Sequence, residues 1–335
     1  MDETWRRWPP RKRTRGPFFR CSTVVYQTYV YSACLRSISN EHLLLRIYLP
    51  RTQLACLRAA SPGQLQAARQ AMPGEDMLGT SSALNYNGSR SAWGPLIDGD
   101  VIPEQPSAVG LKVPSVLGSN ANEGALFVLS TYGESTSALT RADYDVFLTS
   151  NFGPLASRVN MTYPLKAFNG SVAAAMATIV TETSYHCPAQ RGLARAVGHV
   201  KNDQSTVPVW TYRFDHTPTC PGFRIIPSEL LPVLGATHTS EIPFVLNLTR
   251  NMPPPDGNCT FLEPERRLAH VMSRAWTNMA EFGTPGDEIE WPAWTPDASM
   301  GVTFTDSMRA TPVDYKTCAF WNRIDGALSK YAATQ

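Results

Sequence analysis

Apolar residues recur at three- and four-residue steps over 264–282, where Leu268, Met272, Ala275, Trp276 and Met279 fall on one face. That spacing predicts a helix, and Gly283 and Pro285 stop it. Residues 207–214 instead alternate and carry Val, Trp, Tyr and Phe, which predicts a strand. A second short apolar strand starts at Val113 and runs into the polar turn Gly118-Ser119-Asn120-Ala121-Asn122-Glu123-Gly124, with Gly118 and Gly124 expected to give that turn its freedom. Helix and loop are expected over 124–149, helices broken at Cys187-Pro188 over 171–197, a last short strand over 301–306, and a terminal helix starting within 317–325. Near the start, Ser61 reads as a helix N-cap, with Pro62 at the first helical position and Leu65, Ala68 and Met72 as an apolar stripe. Several strands with intervening helices predict an α/β fold with a mainly parallel sheet.

Two loops carry candidate chemistry. Gly235-Ala236-Thr237-His238-Thr239-Ser240-Glu241 sets a histidine among small residues, and the rigid apolar turn Ile242-Pro243-Phe244-Val245 follows. A general base needs a fixed ring with a free edge, and a histidine anchored in this way can supply one. Glu123 sits just past the carboxyl end of its strand. The plainer readings are a surface histidine and a turn carboxylate that caps a helix start. Glu241 suits a helix-start or salt-bridge role better than chemistry, and Asp98, in the turn Asp98-Gly99, is at most a supporting residue. Asp215-His216 is a rival acid-histidine pair, but neighbouring strand residues point to opposite faces.

An acid after one strand and a histidine after a later one is the second half of the Ser-acid-His order of α/β-hydrolases. From about Leu54 to Trp321 the chain resembles the type-B carboxylesterase family, which includes fungal lipases, cholinesterases and non-catalytic relatives. The resemblance is carried by Ala55-Cys56-Leu57-Arg58, Trp93-Gly94-Pro95-Leu96-Ile97-Asp98-Gly99-Asp100, the Glu123 and His238 segments, Cys187-Pro188-Ala189-Gln190-Arg191, Val209-Trp210-Thr211-Tyr212-Arg213-Phe214-Asp215-His216 and Glu290-Trp291-Pro292-Ala293-Trp294-Thr295-Pro296, all in the family's order. It implies an α/β-hydrolase fold, a small carboxylic ester as substrate, His238 as general base and acid, and Glu123 as its orienting carboxylate. The family usually has glycine after the histidine; here Thr239 stands there.

The nucleophile elbow G-x-S-x-G is missing from these residues. Gly79-Thr80-Ser81-Ser82-Ala83 comes nearest, with alanine in place of the last glycine, and no Gly-Gly-Gly run offers an oxyanion loop. The expectation is a carboxyl-terminal part of the fold, with the amino-terminal part of the sheet absent: 51–335 as family domain and 1–50 as an unmatched basic segment. Such a chain is expected to be inactive alone, because triad members act as a unit. The alternative is a non-catalytic binding module that keeps the fold without the serine.

Composition changes this picture little. The chain has 335 residues, 43% of them hydrophobic and 17% charged, and a formal net charge of +2, so nothing suggests nucleic acid as a partner. The longest apolar run, around 172–180, is too short to span a bilayer. Arg6, Arg7, Arg11, Lys12, Arg13 and Arg15 crowd a proline-containing start that does not read as a signal peptide. Ala33-Cys34-Leu35-Arg36 echoes Ala55-Cys56-Leu57-Arg58, too few copies for a repeat architecture. Sequons at Asn87, Asn160, Asn169, Asn247 and Asn258 hint at a secretory ancestry, in which disulfides are allowed. The seven cysteines lack CxxC spacing, so neither a metal nor a cofactor is expected, and Cys187 with Cys220 is the expected pair.

Overall fold

The computed structural model describes residues 55, 58–70, 97–104, 110–198, 207–221, 226, 228–248, 259–286 and 288–332. The basic start, the echo at 33–36, Met72, the 79–83 stretch, Trp93-Gly94-Pro95 and the sequons at Asn87 and Asn258 lie outside them. The chain divides into two compact units, Met1–Gly74 and Glu75–Gln335. In the first, helix α1 (Pro62–Gln70) begins as expected. Ser61 Oγ accepts from the Gln64 N–H at 3.3 Å, and Gln64 Oε1 accepts from the Ser61 N–H at 2.8 Å, a reciprocal capping box.

Among the described residues of the second unit, four strands form one sheet. β1 (Ser115–Asn120) is followed by α2 (Gly124–Tyr132), α3 (Arg141–Phe152), α4 (Ala156–Thr162), α5 (Val172–Thr181) and α6 (Cys187–Val197). β2 (Val209–Phe214), the one-turn helices α7 (Leu231–Leu234) and α8 (Ile242–Val245), and the long α9 (Glu263–Phe282) come next. β3 (Met300–Phe304), β4 (Arg309–Pro312) and α10 (Cys318–Ala332) complete the order. The strands lie in the order β1-β2-β3-β4. β1 pairs with β2 and β2 with β3 in parallel, while β4 turns back antiparallel on β3, so the sheet is mixed.

Period-two alternation divides β2 between two cores. Trp210 and Phe214 are buried against α9, where Leu268, Ala269, Met272 and Ala275 pack. Val209 joins Leu193 of α6 and Trp294 on the other side. A third cluster, with Phe152, Met176, Ile179 and Trp321 at its centre, binds α3 and α5 to α10. α9 ends at Gly283 in the left-handed region (φ 71°), whose N–H returns to the Met279 carbonyl.

Three expectations need correction. The chain does not break at Cys187-Pro188: it passes from α5 to α6 through one wide turn, Glu182–His186, and Cys187 stays helical (φ −77°, ψ −32°). Proline lacks the N–H that a regular helix would need there, and the wider turn, with Pro188 in the opening turn of α6, leaves no bond to miss. Cys187 does not pair with Cys220. It bonds Cys318 at the start of α10 (Cα–Cα 5.2 Å), and Cys220 bonds Cys259 (Cα–Cα 5.6 Å). Cys187 and Cys220 belong to different core clusters, whereas a disulfide spans only about 4.4–6.8 Å between Cα atoms. Finally, neither Gly118 nor Gly124 has positive φ. Their missing Cβ atoms make room: a Cβ would lie 2.4 Å from the Tyr212 carbonyl oxygen at Gly118, and 2.1 Å from that of Ala177 at Gly124.

Candidate active site

β1 ends at Asn120 and runs into the turn Ala121-Asn122-Glu123, and β2 leads toward the loop that carries His238. Backbone pairing stitches the two ends together. Asn122 N–H donates to the Ala236 carbonyl at 2.9 Å, and Asn122 and Thr237 form an isolated parallel bridge. Asn122 Nδ2 reaches the Leu234 carbonyl at 2.8 Å, and Leu126 N–H donates to Thr237 Oγ1 at 3.1 Å.

This stitching brings Glu123 Oε2 to 2.8 Å from His238 Nδ1. Glu123 is 7% exposed and His238 34% at the side chain. Glu123 occupies the N-cap position of α2 without making a side-chain cap bond. Its Oε1 instead accepts from the Asn120 N–H at 2.8 Å, so both oxygens are fixed. The imidazole ring touches Phe127 and Tyr185, each with its ring centroid 5.0 Å away. A ring whose Nδ1–H donates to a carboxylate leaves Nε2 as an acceptor, and Nε2 has no hydrogen-bond partner among the described residues.

The other described histidines differ. His186 is buried with both nitrogens engaged, Nδ1 by Ser119 Oγ at 3.2 Å and Nε2 by the Asp314 carbonyl at 2.8 Å. Burial pushes its pKa down and favours the neutral ring. His216 is held between Glu265 (3.1 Å) and Asp306 (2.9 Å). Its neighbour Asp215 turns to Arg213 at 3.6 Å; Asp215 and His216 both lie just past the end of β2. His270 lies exposed on α9 beside Glu288. Of the four, His238 alone joins a buried carboxylate on one nitrogen to an open edge on the other.

The expected supporting residues, Asp98 and Glu241, have different partners. Asp98 serves its own turn, its Oδ1 accepting from the Asp100 and Ile102 N–H groups at 2.9 Å each, and those bonds lower its pKa. Glu241 precedes α8 but makes no cap bond; its carboxylate accepts from Asn120 Nδ2. Burial raises the Glu241 pKa, the Asn120 amide pulls it down, and nearby Glu123 raises it again. Asn120, Phe127 and Tyr185 escaped sequence reasoning. The Asn-x-Asn step before Glu123 was the available signal, since residues two apart on a strand share a face.

The loop hydroxyls are all engaged with backbone groups. Ser240 Oγ donates to the Thr237 carbonyl, Thr239 Oγ1 to the His238 carbonyl, and Thr237 Oγ1 accepts from Leu126. Thr239, where the resembled family has glycine, has φ 71°. A β-branched residue is strained in that region. Thr239→Gly is therefore expected to stabilise the chain by about 1 kcal/mol, the relief exceeding the added freedom of the unfolded chain. The urea midpoint would show it, and a lower midpoint would mean that the hydroxyl bond outweighs the strain.

A profile of the carboxylesterase family matches residues 38–321. The chain belongs to the carboxylesterase family. As a carboxylesterase-family chain it has the α/β-hydrolase fold, of which the four-stranded mixed sheet is a part. It is 24% identical to gut esterase 1 of Caenorhabditis briggsae over 69% of this chain and 45% of that protein. It is 26% identical to the acetylcholinesterase of Bungarus fasciatus over 81% of this chain and 44% of the relative. The para-nitrobenzyl esterase of Bacillus subtilis shares 26% over 60% of this chain and 37% of its own length. The chain thus spans less than half the length of these curated relatives. Among the described residues no helix is long and apolar enough to cross a membrane, and no group of His, Cys, Asp and Glu side chains could hold a metal ion.

Proposed function

We propose that His238 and Glu123 are the base and the orienting carboxylate of a serine-type ester hydrolase, and that the serine comes from polypeptide outside these 335 residues. The observation that carries this reading is the 2.8 Å contact from His238 Nδ1 to a buried carboxylate, with Nε2 left open. In that arrangement Nε2 takes the serine hydroxyl proton as the oxygen attacks the ester carbonyl, then returns it to the leaving alcohol. Glu123 holds the tautomer and stabilises the imidazolium. The substrate is a small carboxylic ester, in keeping with the esterase names of the relatives.

By itself the 335-residue chain should show no esterase activity. A positioned imidazole is worth about 10² to 10⁴-fold, and oxyanion donors would add about 10² to 10³. Neither contribution is realised without a hydroxyl at Nε2, and Thr237, Thr239 and Ser240 spend theirs on the backbone. Purified chain should hydrolyse a short aryl ester no faster than free imidazole and should take up no serine-directed organophosphonate. Stoichiometric labelling of one serine, abolished by His238→Ala, would place the nucleophile inside the chain and overturn the reading.

A further inference from the structure

Asn120 closes β1 with its side chain enclosed, 1% exposed. Its backbone N–H donates to Glu123 Oε1 at 2.8 Å. Its Nδ2 donates to the Thr237 carbonyl at 2.7 Å, one residue before His238, and also to the Glu241 carboxylate. One residue therefore grips the acid directly and the histidine loop through its backbone.

The amide can sit in only one orientation. Both neighbours of Nδ2 are acceptors, a peptide carbonyl and a carboxylate, so flipping the amide would set its oxygen against two others. Both Nδ2 protons are spent, which also prevents rotation. Asn120 Oδ1 has no hydrogen-bond partner among the described residues and no solvent access, a cost accepted in exchange for that orientation. Glu241 is equally costly where it stands, partly buried and close to a second carboxylate. An apolar side chain would fill that space with no charge to desolvate. What a carboxylate adds is an acceptor that pins the amide.

We propose that Asn120 is a positioning residue for the Glu123–His238 pair, with Glu241 as the group that locks its amide in place. The proposal rests on the reading of Glu123 and His238 as a working acid–base pair. A hydrogen bond between side chains on two loops is only as fixed as the separation of the loops. Asn120 sets that separation through its side chain at Thr237, while its backbone N–H, which a substitution keeps, holds the Glu123 rotamer, so a change of side chain at Asn120 loosens the histidine end of the bond.

The test reads the His238 tautomer by long-range ¹H–¹⁵N correlation on the chain labelled with ¹⁵N-histidine. The signal is assigned with His238→Gln. Spectra are recorded at rising pH until the ring ¹⁵N shifts stop changing, and the two neutral tautomers are compared there. In the unsubstituted chain the Nδ1–H form should dominate; if it does not, the pair itself fails, and this proposal with it. If it does, Asn120→Ala should lower the ratio of Nδ1–H to Nε2–H about fivefold, the factor that one net hydrogen bond supplies. Glu241→Gln, which keeps a carbonyl acceptor for the amide, should retain the ratio, and Glu241→Leu should lower it. A folded Asn120→Ala chain with an unchanged ratio overturns the proposal even if its melting temperature falls, because a purely structural role would move stability alone. Should Asn120→Ala fail to fold, Glu241→Leu decides, and an unchanged ratio there overturns the proposal equally.

Discussion

Gly124→Ala should unfold the chain at a clearly lower urea concentration and separate Glu123 from His238. The added Cβ would lie 2.1 Å from the Ala177 carbonyl oxygen and 2.8 Å from the carbonyl carbon, both backbone atoms of α5. No rotamer can relieve such a contact, so α2 must move away from α5. The Gly124 N–H now donates to Thr181 Oγ1 at 2.9 Å, and that hydroxyl donates to the same Ala177 carbonyl at 2.8 Å. Moving the helix start breaks this chain of bonds as well. The expected cost is at the upper end of the about 1–3 kcal/mol typical of overpacking. Glu123 precedes the displaced residue, so the 2.8 Å contact to His238 should open with it. Gly326→Ala is the control: it lies exposed on α10, with open space where the Cβ would go. There the same change should stabilise by up to about 1 kcal/mol through helix propensity alone. Equal midpoints for the two variants would refute the close-approach account.

Glu265→Ala should clearly destabilise the α9 side of the sheet. Glu265 is 1% exposed and accepts four hydrogen bonds: from the Thr219 N–H and hydroxyl, the Leu262 N–H and His216 Nε2. Burial alone would raise its pKa; the four donors outweigh it and hold the carboxyl at about 2. Truncation leaves buried donors unpaired and removes the cap of α9, for a loss of about 3 kcal/mol. The sign of the pH effect follows from the depressed folded value. Stability from Glu265 is fully present above the ordinary carboxylate pKa of about 4.5 and is lost as pH falls through about 2. Acid titration of the unfolding midpoint should therefore fall more steeply over this window in the unsubstituted chain than in Glu265→Gln. Parallel curves would show that another carboxylate governs acid unfolding.

Much of the architecture could be read from local pattern. The stripe from Leu268 to Met279 announced α9, the alternation around Trp210 announced β2, and the acid after one strand and histidine after the next were visible as turn chemistry. The parts that escaped are non-local or polar. β4 is the short stretch Arg309-Ala310-Thr311-Pro312, with no apolar alternation to signal it; it exists because β3 has a partner edge to offer. Disulfide partners depend on which core each cysteine enters, which the sequence pattern does not record, so the expected pairing of Cys187 with Cys220 fails. Asn120 and Glu241 act through the direction of hydrogen bonds, and periodicity carries no record of direction. Gly118 and Gly124 look in sequence like flexible turn residues, and only the Tyr212 and Ala177 carbonyls reveal them as spacers.

The Cys187–Cys318 bond has a consequence for limited proteolysis. It closes residues 187–318 into a covalent ring with the His238 loop inside it, and Cys220–Cys259 closes a smaller ring within the first. A protease that nicks the backbone once anywhere inside the large ring leaves both pieces tethered. The nicked chain would migrate as one intact band until reductant is added. A cut between Ser115 and Cys187, by contrast, is bridged by neither of these bonds, and its amino-terminal piece would come away as soon as the fold lets go. Comparing reduced and unreduced digests thus separates damage to the histidine-bearing ring from damage to the acid-bearing segment that precedes it.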